Sequence, residues 1–262
     1  MVSTPLFIVS APRSGSTFLR AGLDAHPEIT LSNEAGWVAA LRKAELLTTT
    51  PSMHPVDDGE GFTGVGLVPL RYLDATRAAF QAAAQAFARC FAEQLHPFGR
   101  YSGDKVHSHN DAEFLVRTFP GLRLVYLVRD IRDVLVSSYT FEQKQLTAWQ
   151  GASFEQRCTH LARFLDRMAE LLRDHDPILV RYEELVADPR AQFTAVLRGL
   201  GLEMCPAVED WLAHEAEKLF RSHGTSVEPS ASIGRWRSAL SEEQQALAAE
   251  LLGRQNRALG YG

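Results

Sequence analysis

The sequence predicts an α/β fold in three layers, with a central parallel sheet of about five strands flanked by helices. Two observations point there. Leu6-Phe7-Ile8-Val9 and Ile178-Leu179-Val180 are short, continuously apolar runs, as expected of strands buried on both faces of a parallel sheet, and Leu122 to Val128, apolar but for Arg123, is the strongest strand. The first run also breaks directly into a turn of small residues and then a helix. The 262 residues suit one domain, 1–262, and neither an internal repeat nor a linker interrupts them.

Ser10-Ala11-Pro12-Arg13-Ser14-Gly15-Ser16-Thr17 is that turn, and Phe18, Leu19, Ala21, Gly22 and Leu23 follow at helical spacing until His26-Pro27 stops them. Strand, small-residue turn and helix make a P-loop-like layout. The first N–H groups of a helix lack partners inside it and the helix dipole is positive there, so the turn suits an anion. Gly15 lets the backbone approach an oxyanion, Ser14, Ser16 and Thr17 add hydroxyls, and Arg13 adds a permanent charge. Against the nucleotide-triphosphatase pattern G-x-x-x-x-G-K-[ST], Ser10 replaces the first glycine and Ser16 the lysine.

Further along, Glu34 to Leu47 reads as a helix with an irregular apolar side. Thr48 to Pro69, rich in Gly and Pro, reads as a long surface loop, and Arg71 to Gln94 as an alanine-rich helix. Tyr101 to Val106 is a strand, followed by a short helix capped by Asn110 or Asp111 and ended by Pro120-Gly121. Helices are expected from about Ile131 to Gln143, over Ser153 to Asp174 in a structural role, and over Arg190 to Leu200 and Val208 to Phe220. Ser222 to Ser232 is irregular, and Ser241 with Gln244 forms a capping box for the last helix.

A net charge of −5 and a pI near 6.0 give no global field for nucleic acid or an anionic membrane, so any anion site is local. Cys90, Cys158 and Cys205 are odd in number and unclustered, which reads as reduced core thiols, with neither a disulfide framework nor a zinc site. Without an apolar leader or a bilayer-length segment, the expectation is a cytoplasmic protein. High alanine and arginine usage suggests a GC-rich bacterial source. The oligomeric state stays open, a homodimer included.

Read together with Lys105-Val106-His107, Arg129 to Ser137 and Gly234-Arg235-Trp236-Arg237, the opening loop resembles that of the sulfotransferases that use 3′-phosphoadenosine 5′-phosphosulfate (PAPS). The resemblance implies that Arg13, Ser14, Gly15, Ser16 and Thr17 take the 5′-phosphosulfate end, and Arg129 and Ser137 the 3′-phosphate. Arg129 follows directly on a strand, where doubly wound sheets collect ligands. Lys105-Val106-His107 resembles the K-T-H segment whose histidine is the base; a histidine suits that proton transfer at neutral pH, and His109 lies near enough to compete. Arg13 and Lys105 would stabilise developing charge with no metal, Arg13 donating a hydrogen bond without giving up its proton. Tyr182, in a Y-E-E segment, would meet the adenine or pack in the core. Gly234 and Arg235 would close over the 3′-phosphate; Arg237 remains an option, with Arg235 preferred for its adjacency to Gly234.

The expected reaction is in-line sulfuryl transfer from PAPS to a hydroxyl of a small-molecule, lipid or glycan acceptor. Trp37, Phe62, Tyr72, Phe141 and Trp149 are aromatic candidates for the acceptor pocket. The rivals are a P-loop kinase of a small metabolite, against which the missing loop lysine and the Arg129/Ser137 pair speak, and a non-catalytic nucleotide-binding protein.

Overall fold

Phe7 and Val9 fall on one face of the first strand, Thr4–Ser10 (β1), and Leu6 and Ile8 on the other, and all four are buried. A strand with two apolar faces needs cover on both sides, and the rest of the chain provides it. The computed structural model describes residues 3–49, 55–57, 62–65, 73–95, 99–143, 151–223, 226 and 228–262. After β1 come Ser16–Asp24 (α1), Ile29–Leu31 (β2), Trp37–Thr49 (α2), Pro55–Asp57 (β3), Phe62–Val65 (β4), Leu73–Leu95 (α3), Tyr101–Val106 (β5), His109–Thr118 (α4) and Arg123–Val128 (β6). The second half holds Ile131–Glu142 (α5), Phe154–Leu171 (α6), Ile178–Arg181 (β7), Tyr182–Ala187 (α7), Pro189–Gly199 (α8), Pro206–His214 (α9), Ala216–His223 (α10), Trp236–Ala239 (α11) and Glu242–Ala258 (α12).

The central sheet has five strands in the order β2-β5-β1-β6-β7, and its pairings are parallel. β1 is central: Ile8 is in register with Lys105 on one side and with Val125 on the other. Phe7 and Val9 join Trp37, Phe114, Leu115, Val134, Phe164, Met168 and Leu252 in one core. Leu6 and Ile8 join Leu19, Leu23, Leu185, Phe193, Leu197 and Val208 in the other. Each such side chain, fully buried, contributes about 1.5–3 kcal/mol over its exposed state, so the two layers together hold the loops at the carboxyl ends of β1, β5 and β6.

Several expectations are corrected by this arrangement. The Thr48 to Pro69 stretch, expected to be a loop, begins with the last two residues of α2 and contains an antiparallel ribbon, β3 with β4, which carries Phe62; its remaining residues lie outside those described. The helix expected from Glu34 starts at Trp37, because Glu34 (φ 55°) and Gly36 (φ 77°) are left-handed. Ser108, not Asn110 or Asp111, caps α4 by accepting the Asp111 N–H. The helix expected over Val208 to Phe220 breaks at Glu215 into α9 and α10. β2 and α7 had no expectation at all. Of the three cysteines Cys158 is buried, Cys205 is half-buried and Cys90 is exposed. Among the described residues, no helix is long and apolar enough to cross a membrane.

Candidate active site

The turn after β1 is forced into its shape by two left-handed residues, Arg13 (φ 68°) and Gly15 (φ 96°), the latter capping α1. Glycine is required at the second for another reason: a Cβ there would lie 2.5 Å from the Tyr182 ring. At the first, the backbone strain turns the Arg13 carbonyl toward Arg129, whose Nη1 donates to it at 3.1 Å. The Arg13 guanidinium lies over the Phe141 ring at 3.9 Å. Gly15, Ser16 and Thr17 line a cavity of about 500 Å³ with Arg13, Arg129, Ser137 and Tyr182. Ser14 is buried and does not line it.

Beside the turn, the end of β5 brings together three groups of opposite sign. Lys105 Nζ donates to Thr17 Oγ1 at 3.0 Å and to Glu34 Oε1 at 2.5 Å. His107 Nδ1 lies 3.0 Å from the Ser10 carbonyl oxygen, an obligate acceptor, so Nδ1 carries a proton. Nε2 faces Glu34 Oε1 at 3.2 Å and Ser16 Oγ at 3.5 Å; it donates to the carboxylate when the ring carries both protons and is a free acceptor when it carries only the one on Nδ1. The hydrogen bond from His107, and after it that from Lys105, hold the Glu34 carboxyl down at about 2. Glu34 is placed by Asp104, which is 1% exposed and accepts the N–H groups of Glu34 (2.8 Å), Ala35 (2.9 Å) and Lys105 (2.8 Å). Burial pushes Asp104 up, against the pull of those N–H groups.

On the β6 side three guanidinium groups lie close together. Burial and the neighbouring guanidinium groups of Arg129 and Arg235 bring Arg13 down to about 10, and burial and Arg129 lower Arg235. Arg129 is 4% exposed, bridges the Arg13 and Ser232 carbonyls (3.1 and 2.6 Å), and stacks at 4.1 Å over Tyr182. Its Nε is buried with no hydrogen-bond partner among the described residues. A like-charged trio around such a donor is a site that fits a phosphate.

The residues singled out in the sequence therefore converge. Both the opening turn and the Arg129/Ser137 pair line one cavity, as do Lys105, His107 and Tyr182. Tyr182 is 6% exposed, packed against Gly15, with its hydroxyl 2.8 Å from Ser232 Oγ. Gly234 and Arg235 do not line the cavity, although Arg235 is near enough for its charge to act on Arg13. Arg237 is exposed and lies 4.6 Å over the Trp236 ring. Sequence reasoning missed Glu34, Asp104 and Ser232; an acidic residue between small ones, with Gly36 two positions on, was the available sign of Glu34.

A second cavity, of about 670 Å³, shares Pro12, Glu34, Lys105 and His107 with the first and is otherwise lined by Val38, Ala39, Ser108, Asp111, Gln156 and His160 among others. Helix α6, expected to be purely structural, supplies the last two. Trp37 packs in the core against Phe7 and Phe119, Phe141 borders the first cavity, and Tyr72 and Trp149 lie outside the described residues. His109, near Phe164, lines neither cavity.

A model described as the Sulfotransferase family matches residues 5–206. Protein-tyrosine sulfotransferase 1 of Danio rerio is 24% identical over 225 residues, covering 85% of this chain but 59% of that protein. The sulfotransferase domain from the curacin biosynthetic pathway superposes with a TM-score of 0.62 at 18% identity, over 99% of this chain and 98% of that one. Mouse sulfotransferase SULT7A1, solved in complex with PAP, superposes with a TM-score of 0.58 at 13% identity, over 98% of this chain and 87% of that one.

Proposed function

The chain belongs to the sulfotransferase family, and on that premise we propose that residues 1–262 act as one domain moving a sulfuryl group from PAPS to an acceptor hydroxyl. One observation carries the reading: a cavity lined by Arg13 and Arg129, with the charge of Arg235 close by, shares Glu34, Lys105 and His107 with a second cavity of a size to hold an acceptor. When bound, PAPS supplies the activated sulfuryl group. Arg129, Ser137 and Arg235 hold the 3′-phosphate, and Gly15, Ser16, Thr17 and Arg13 the 5′ end.

His107 Nε2 takes the acceptor proton as the new O–S bond forms and the S–O bond to the 5′-phosphate breaks. Its Nδ1–H, anchored on the Ser10 carbonyl, keeps Nε2 aimed at the junction of the two cavities. Glu34 then neighbours the imidazolium, and an acid held at about 2 suits that ionic role better than collecting the proton itself. Lys105 and Arg13 stabilise charge on the departing oxygen and the sulfuryl group. A second reading, with Glu34 as the base, draws on its place on both cavities; it requires Lys105 to leave Glu34 for the donor.

Calorimetric titration with adenosine 3′,5′-bisphosphate should show saturable binding. Incubation with labelled PAPS and a panel of phenol, sugar and lipid hydroxyls, with chelator present, should yield labelled product. Absence of bisphosphate binding overturns the reading, and magnesium-dependent ATP turnover would replace it with the kinase. Donor binding with no transfer to any acceptor would favour a non-catalytic binding protein.

A further inference from the structure

Asp133 lies in the first turn of α5, one helical turn before Ser137, and is 0% exposed. A carboxylate taken fully out of water needs partners, and the geometry gives it two from a segment a hundred residues away in the chain. Oδ2 accepts the Gly234 N–H at 2.6 Å and Oδ1 the Trp236 N–H at 3.0 Å. Those are the amides on either side of Arg235. Gly234 turns there with φ 69°, so that the chain presents residue 235 between two pinned neighbours.

The same segment is held twice more, by Arg129 Nη2 on the Ser232 carbonyl (2.6 Å) and by the Tyr182 hydroxyl on Ser232 Oγ (2.8 Å). Burial pushes Asp133 up, while the Gly234 and Trp236 N–H groups and the Arg129 charge act in the other direction. Asp133 in turn offsets part of the lowering that burial and Arg129 impose on Arg235.

We propose that Asp133 is a positioning residue for the donor's 3′-phosphate: by gripping the amides that flank Arg235 it sets that guanidinium beside Arg129, without touching the nucleotide. The inference rests on the donor reading above and adds to it the residue on which 3′-phosphate selectivity depends. Asn in this place keeps the shape but turns an NH2 donor toward a backbone N–H, so one of the two grips is lost.

The test compares adenosine 3′,5′-bisphosphate with adenosine 5′-monophosphate, which lacks the 3′-phosphate. Asp133→Asn should weaken the bisphosphate about tenfold to a hundredfold and leave the monophosphate within about twofold. The donor KM should rise with kcat at saturation nearly kept. Asp133→Asn combined with Arg235→Ala should add little to Arg235→Ala alone, since both act through one guanidinium. A merely destabilised protein would lose both nucleotides together, which overturns the proposal, as does a variant that keeps the wild-type preference or a double variant whose losses multiply. Should Asp133→Asn not fold, amide exchange on the ligand-free wild type decides: Gly234 and Trp236 should be protected, and exchange as fast as an open turn overturns the grip. A wild type that binds neither nucleotide brings down the donor reading and this inference with it. A wild type that prefers the bisphosphate, with Asp133→Asn preferring it by the same factor, sinks the inference alone.

Discussion

Two buried aspartates hold loops on opposite sides of the turn at Gly15, Asp104 on the β5 side and Asp133 on the β6 side. Each accepts backbone N–H groups from residues near a charged side chain: Glu34 and Ala35 in one case, Gly234 and Trp236 in the other. What they present differs in sign and company. Asp104 presents Glu34, which the Lys105 ammonium neutralises on the spot, so that side is electrostatically closed with no ligand present. Asp133 presents a third arginine beside two others, a side whose charge is answered by an anion. On the proposed function, the same device would serve two tasks, keeping a proton relay poised on one side and keeping a grip open on the other.

The division can be broken by experiment, and the largest effect should come from the relay. His107→Ala should lower kcat by about a hundredfold to ten-thousandfold while bisphosphate affinity, measured by calorimetry, holds. A parallel fall in affinity would mean that the two sides do not have separate duties. Asp104→Asn should come next. By loosening the amides of Glu34 and Ala35 it should cut kcat by about tenfold, again with bisphosphate affinity kept, the mirror image of what Asp133→Asn does on the other side.

Smallest is a pH effect on stability. Glu34 is held at about 2, below its ordinary 4.5, so the folded state favours its charged form. Its contribution is present above about 4.5 and is lost as the pH falls toward 2. Glu34→Gln should flatten the fall of Tm across that window, by less than about 2 °C because the carboxylate is half-exposed and screened. An unchanged slope would mean that the ion pairs with Lys105 and His107 form only when ligand is present.

The sheet and the turn were legible because their signals are contiguous. Four apolar residues, a small-residue turn and a helix occupy neighbouring positions in the chain, and Arg129 stands at the foot of the clearest strand. Glu34 was not, since its role is created by Asp104, 70 positions away, and the apolar periodicity after it favoured a helix that two left-handed residues prevent. Asp133 was hidden in plain view inside the Arg129 to Ser137 segment, its two partners lying 101 and 103 positions on. Trp37, an aromatic residue that suits core packing as well as a pocket wall, packs against Phe7 in the core. Local pattern reports which ligand a loop suits; it is silent on the carboxylates that hold the loop from afar.

The central place of β1 has a last consequence. Val9 stands level with Val106 on one neighbour and with Tyr126 on the other, so both flanking strands are measured off a single ruler. Deleting one residue inside that ruler would slide proton relay and phosphate grip together by about 3.3 Å and invert its faces. Insertions between β2 and β5 leave the ruler untouched. A lineage built on this plan is therefore free to vary the stretch between those two strands while the spacing of the groups at the ends of β1, β5 and β6 stays constant.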